Sequence, residues 1–280
     1  MSQAAFSYQR ATSLDDALAA IAGGDAKVLA GGMSLLPLMK LRLASPERIV
    51  DIGPLSELRA LGPTADGGFE VGALATYADL LGATTLPVAV QCVSDIGDVQ
   101  VRNRGTVGGA VSHADPASDL PALGLALDYS VVLRSARGER TVPLDGFFTG
   151  TFTTAMAPDE LVVKLVRGPL PAEIGSAYKK LKNPASGYSI VGVAAVVAMS
   201  GGSVSHARIA LTGVGEVAYR AKEVEAALTG SDGSPDAVAA AAAHATVGQI
   251  VNGDIHADRA YRASMAVVYT RRAIEAALGR

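Results

Sequence analysis

Apolar and polar positions alternate along the chain in blocks that predict short elements joined by short connections. Ser13 stands before an amphipathic block ending at Ile21, with Asp15 and Asp16 in its first turn and Gly23-Gly24 after it. This is the pattern of an N-capped helix with carboxylates at its positive end and a glycine stop. Lys27–Ala30 then reads as a short buried strand, Gly31-Gly32-Met33-Ser34 as a loop, Leu35–Leu43 as an apolar stretch and Arg48–Ile52 as a second strand. Phe69–Ala73 alternates like a strand, and Tyr77–Leu81 and Leu86–Val93 have helical spacing. Arg102–Pro121 is a long run of small and turn-prone residues. Tyr129–Arg134 and Arg140–Pro143 form a hairpin about Arg137-Gly138, followed by a strand at Leu161–Val166.

The Pro- and Gly-rich Gly168–Gly175 marks the best domain boundary. Beyond it, Ile190–Met199 and Val204–Val214 flank Gly201-Gly202 as a β-hairpin. Helices are predicted at Ala221–Leu228, Ala237–Val247 and Ala257–Leu278, the last with Tyr261, Met265, Val268 and Ile274 on one face. No internal repeat is present.

Composition narrows the function classes. Hydrophobic residues make up 49% of the 280, enough for a sizeable core. Lys+Arg 24 against Asp+Glu 27 leaves a net charge of −3, without the basic excess of a nucleic-acid binder. Aromatics are 5% with no Trp, a poor supply of base-stacking platforms. No apolar window has the length of a membrane span, and MSQAAFSYQR lacks a signal pattern, so a cytoplasmic protein is expected. One cysteine, Cys92, cannot build an iron–sulfur cluster or a disulfide within the chain. The four histidines share no metal-ligand spacing, so no metal site is expected, and no nucleophilic triad or paired-carboxylate motif stands out. Electron transfer by this chain would need an organic cofactor or partner subunits.

The chemical signal lies in two glycine loops, Leu29–Leu35 (LAGGMSL) and Thr106–Ala110 (TVGGA). Paired glycines permit positive φ and remove Cβ atoms from a closely approaching ligand. Successive N–H groups at a helix start can hold an anion, and two such loops could hold two phosphates. Neither loop is GxGxxG or GxxxxGK[ST], which disfavours a nicotinamide Rossmann domain and a P-loop NTPase. Taken alone, each glycine pair reads first as a tight turn, since Gly pairs are ordinary turn punctuation.

Three segments in order, Lys27–Met39, Val101–Ala122, and Ala177–Lys179 with Tyr188–Ala194, make the whole chain resemble the flavin-binding medium subunits of the molybdenum hydroxylases, the group of aerobic carbon monoxide dehydrogenase and xanthine dehydrogenase. The resemblance implies an α+β fold: a two-lobed FAD-binding domain of the vanillyl-alcohol-oxidase (PCMH) type over residues 1–171, with lobes of about 1–55 and 56–171. A C-terminal domain of a three-stranded antiparallel sheet and helices follows over 172–280. It implies non-covalent FAD held at the pyrophosphate by Leu29, Ala30, Gly31, Gly32, Met33, Ser34 and Leu35, and by Thr106, Val107, Gly108, Gly109 and Ala110. Ser34 and Thr106 would add hydroxyls, Asp119 would meet the cofactor's polar portion, Ile96 and Val162 would line its pocket, and Lys179 and Tyr188 would lie near the flavin ring.

The partners implied are a large molybdopterin subunit and a small subunit with two [2Fe–2S] clusters, in a dimer of heterotrimers. Electrons would leave to a quinone, NAD⁺ or another carrier, and the complex could hold the chain against the inner face of the membrane. Two departures stand out: Ala110 where the family often has Asn or Ser, and Gly187 where it often has Asp. The substrate would be carbon monoxide, or a purine, N-heterocycle or aldehyde. A nucleotide-binding scaffold that has lost its flavin is the non-enzymatic alternative.

Overall fold

A computed structural model describes residues 5–280; Met1–Ala4 of the N-terminal stretch read above lie outside it. The chain begins with strand β1 (Ser7–Arg10), helix α1 (Leu14–Ile21), β2 (Ala26–Leu29), α2 (Leu35–Lys40) and β3 (Arg48–Asp51). The strands form a parallel sheet of order β1-β3-β2, with Leu29 opposite Asp51 at its C-terminal edge. Ser13 caps α1 as its position suggests, its Oγ accepting from Asp16 N at 3.1 Å. β1 is not foreshadowed: SYQR is polar and largely exposed, and it is a strand because β3 offers its edge.

The second layer holds β4 (Leu61–Pro63), β5 (Phe69–Gly72), α3 (Tyr77–Ala83), α4 (Pro87–Ser94), α5 (Val99–Arg102), α6 (Val107–His113) and α7 (Asp119–Ala126), then β6 (Ser130–Ser135), β7 (Gly138–Pro143), β8 (Phe148–Gly150), β9 (Thr153–Thr154) and β10 (Leu161–Arg167). Its main sheet runs β4-β5-β10-β6-β7, antiparallel throughout. The turn-prone run at 102–121 contains α6 and the start of α7. All eight residues of α7 are buried, so it has no polar face to produce a helical period. α3 starts on a capping box, Thr76 with Asp79.

The last third contains β11 (Ile174–Lys182), β12 (Ser189–Ser200), β13 (Ser203–Thr212), β14 (Tyr219–Arg220), α8 (Lys222–Leu228), α9 (Pro235–Ala242) and α10 (Arg259–Ala277). Three long antiparallel strands and the two-residue β14 form one sheet, β11-β12-β13-β14. β12 is apolar almost without interruption because both faces are covered. Val191, Val193, Ala195 and Val197 pack on the C-terminal helices, while Ala194 and Val196 join the core of the second layer. The buried face of α10 differs from the expected one. It carries Arg262, Ala266, Thr270, Ala273, Ile274 and Ala277, and Tyr261 is 47% exposed. Small residues let the helix lie close to β11, where a Cβ on Gly175 would stand 1.7 Å from Ala277 O.

Candidate functional site at the glycine loops

The first loop leaves the sheet at the end of β2. Gly31 touches the backbone of the segment before α6: a Cβ there would lie 2.0 Å from Arg104 O. Gly32 has φ +77°, the left-handed region that favours glycine. Gly32 O and Ser34 O accept from Leu36 N and Leu38 N, so the loop's carbonyls are engaged. The N–H groups of Gly31, Gly32, Met33 and Ser34 meet no acceptor among the described residues. Ser34 occupies the N-cap position of α2 without a side-chain cap bond, which leaves its hydroxyl to donate elsewhere. This is a donor-rich cradle, and it fits a phosphate.

The second loop is built differently. Val107 N donates to Ala75 O at 3.0 Å, Gly108 N to Ala73 O at 2.9 Å, and Ala110 N to Thr106 O at 3.0 Å. Gly109 N donates to Thr106 Oγ1 at 3.2 Å, the N-cap bond of α6. The row of free amides expected at Thr106–Ala110 is therefore absent, because these amides hold α6 against the run leading out of β5. The glycines serve packing: a Cβ on Gly108 would lie 2.6 Å from Ala73 Cβ. Ala110 contributes only backbone to this arrangement, so the lack of an Asn or Ser side chain changes none of these bonds.

Where the loops meet, Leu29, Ala30, Gly31 and Thr106 line a polar cleft of about 310 Å³. Arg10, Arg59 and Arg104 also line it, against the single carboxylate of Asp51. The balance suits an anion. Arg59 is tied by the carbonyls of Leu74 and Gly53. Arg102 donates to Ile96 O and Gly97 O at 3.1 Å each and closes the turn after α4. Ile96 is thereby fixed at the rim of the second-layer core. Val162 is buried in β10 opposite Leu133, so only its backbone can face a cofactor.

Asp119 has a role that the sequence did not disclose. Its Oδ1 accepts from Tyr178 OH at 2.5 Å and Ser189 Oγ at 2.6 Å, and its Oδ2 pairs with Lys180 Nζ at 2.8 Å. The Lys180 and Asp119 side chains are 3% and 6% exposed. These bonds join α7 to β11 and β12. A carboxylate so engaged is a clamp between the second layer and the C-terminal sheet. Burial, then the nearby Asp119 charge, pushes the Tyr178 hydroxyl well above its ordinary pKa, so it stays protonated as a donor.

Lys179 is the neighbour of the residue that matters. Strand alternation places it with Ala177 and Leu181 on the face packed against the C-terminal helices, whereas Tyr178 and Lys180 face the second layer. The structure thus separates Lys179 from Lys180, on opposite faces of β11. The period-2 rule applied to the Tyr178-Lys179-Lys180 run could have found Lys180.

Tyr188 is 49% exposed at the end of a turn. Asn183 Oδ1 accepts from Ala185 N and Ser186 N, and Gly187 N donates to Asn183 O. Gly187 has φ +73°, with open space where a Cβ would be. Asp also tolerates this conformation. Burial first, and then the charges of Asp115 and Asp119, raise the pKa of the Tyr188 hydroxyl.

His113 packs on Phe152 with ring centres 4.9 Å apart, and burial lowers its pKa. Cys92 is fully buried and its thiol is pushed well up by desolvation, as befits a small core residue. Among the described residues no group of three or more His, Cys, Asp or Glu could hold a metal ion, and no helix is long and apolar enough to cross a membrane.

Comparison with known proteins gives this arrangement a family. Residues 4–169 match the FAD binding domain in molybdopterin dehydrogenase, and residues 176–277 match the CO dehydrogenase flavoprotein C-terminal domain. The chain belongs to this family: it is an FAD-binding medium subunit of the molybdenum hydroxylases and an oxidoreductase component. It is 41% identical to the carbon monoxide dehydrogenase medium chain of Hydrogenophaga pseudoflava, over 98% of each chain. It is 40% identical to the glyceraldehyde dehydrogenase medium chain of Sulfolobus acidocaldarius, over 83% of this chain and 84% of that one. A solved structure of carbon monoxide dehydrogenase from Hydrogenophaga pseudoflava, in a form lacking the Mo-pyranopterin moiety, superposes with a TM-score of 0.96 at 40% identity, covering 100% of this chain and 99% of that chain. The mixed α and β architecture thus agrees with the vanillyl-alcohol-oxidase type of fold expected from the motifs.

Proposed function

We propose that this chain is the electron-transfer subunit of a carbon monoxide dehydrogenase-like complex. It receives electrons from [2Fe–2S] clusters of a small partner subunit and delivers them to an external acceptor such as a quinone or NAD⁺. A large molybdopterin subunit carries out substrate oxidation, and the assembly is a dimer of heterotrimers in the cytoplasm. Bound FAD would supply the ability to take up electrons singly and release them in pairs. The observation that carries the reading is the set of N–H groups at Gly31–Ser34 that have no acceptor among the described residues, in a loop whose Gly31 lines a cleft with three arginines.

The chain's own residues have divided roles. Gly31, Gly32, Met33 and Ser34 hold the pyrophosphate through backbone donors, and the Ser34 hydroxyl adds another. Leu29, Ala30 and Leu35 fix the loop between strand and helix. Thr106–Ala110 brings α6 to the cofactor without spending amides on it, and the Thr106 hydroxyl can still donate its proton. Ile96 and the Val162 backbone border the cavity, and Tyr188 shields the ring. The Asp119–Lys180 clamp keeps the Tyr188 turn registered against the glycine loops.

The near-equal identities to a carbon monoxide and an aldehyde enzyme leave the substrate to the large subunit. The test is reconstitution. With both partners and substrate, the flavin absorbance should bleach; the isolated chain should carry FAD and stay yellow. Rapid bleaching of the isolated chain by an organic substrate would show a self-sufficient flavin dehydrogenase and end the relay reading.

A further inference from the structure

A second cavity of about 250 Å³ lies in the second layer, between the β5–β10 side of the sheet and helices α3, α4, α6 and α7. Its walls are aliphatic, with Val71, Leu80, Val111, Leu123 and Leu165 among them. It is separate from the glycine-loop cleft: none of Leu29–Leu35 lines it, and α6 stands between the two, presenting Val107 and Val111 to the cavity.

One charged side chain, Arg167, stands in this lining. Its guanidinium carbon lies 5.6 Å from the centre of the Phe69 ring and 5.9 Å from that of Tyr129, both wall residues. Nη1 donates to Gly168 O at 3.0 Å. Nε is buried and has no acceptor among the described residues. A buried donor of a permanent cation left without an acceptor is costly. Tyr129 lies beside it; burial raises the pKa of its hydroxyl, against the opposing pull of the Arg167 charge and of a hydrogen bond with the Arg167 side chain.

We infer that this cavity is a binding site for a small monocarboxylate with an alkyl or aryl body. The carboxylate would accept from Arg167 Nε and the Tyr129 hydroxyl, and the apolar body would fill the aliphatic interior. Charge selects against amines, and the orphan donor selects against hydrocarbons and weak acceptors.

The experiment is calorimetric titration of the full-length, FAD-loaded chain with octanoate, octanol and octylamine. Octanoate should bind saturably, one molecule per chain, at least about tenfold more tightly than the other two. Arg167→Met should bring octanoate down to the level of octanol. Ala89→Phe, which fills the cavity from α4, should remove octanoate binding while flavin absorbance stays unchanged. Octanol binding as tightly as octanoate, or octanoate binding unmoved by Ala89→Phe, would overturn the site. The octanoate–octanol comparison on the unmodified chain decides the matter even if Arg167→Met does not fold.

Discussion

The two glycine loops look alike as strings of letters and do opposite things. LAGGMSL ends a parallel strand and leaves the N–H groups of Gly31–Ser34 without acceptors among the described residues. TVGGA opens a helix whose first amides are already taken by Ala73, Ala75 and Thr106. In the first, absence of a Cβ lets Gly31 lie against Arg104 O and permits a left-handed turn at Gly32. In the second, it lets α6 lie against the residues that follow β5. A glycine pair beside a cofactor is therefore no statement about who holds the phosphate. That depends on whether the amides have been spent.

The largest effect should come from Gly31→Val. Its branched side chain would drive into Arg104 O, a collision with backbone that cannot move aside. Flavin occupancy should fall below detection in the purified chain, read from absorbance near the flavin band. Full occupancy would break the claim that the first loop is the cradle.

Gly108→Val should act next, through stability instead of affinity. The added atoms overpack Ala73, at a cost of about 1–3 kcal/mol. Denaturant unfolding of the flavin-free chain should move to lower midpoint, with flavin lost only in proportion. A variant that unfolds normally and yet loses FAD would assign free phosphate donors to the second loop after all.

A matched hydroxyl pair sharpens the contrast. Thr106→Ala removes the N-cap of α6 and should cost about 1 kcal/mol of stability, with Thr106→Ser near neutral. Ser34→Ala removes no cap bond, so it should leave the apo-chain midpoint in place while weakening FAD by roughly fivefold, the worth of about 1 kcal/mol of hydrogen bond. Comparing apo unfolding with flavin titration for both variants checks the exchange of roles.

Met33→Leu is the smallest. Met33 is 38% exposed and offers the loop only its backbone, so stability should stay within about 0.5 kcal/mol and occupancy should not change. A large loss of flavin would mean that the side chain itself touches the cofactor.

Much of this was legible along the chain. The Ser13 cap, the strand–loop–helix unit at 26–40, the hairpin about Arg137-Gly138 and the long hairpin from β12 to β13 follow from local chemistry, because capping, alternation and turn residues act within a few positions. The ordered motifs carried the family and its cofactor. Elements without local contrast stayed hidden. α7 is buried on every side and has no amphipathic period, and β1 is polar and waits for a neighbour's edge.

The site divides in the same way. The sequence by itself determined where glycine makes close approach possible, since the missing Cβ is a property of the residue. The tertiary structure decided which amides remain unpaired, because their acceptors at Ala73 and Ala75 lie thirty and more positions away. It also decided that Lys180, and not Lys179, meets Asp119. A strand's two faces are equivalent until something packs on them, and α7 packs on one while α10 packs on the other.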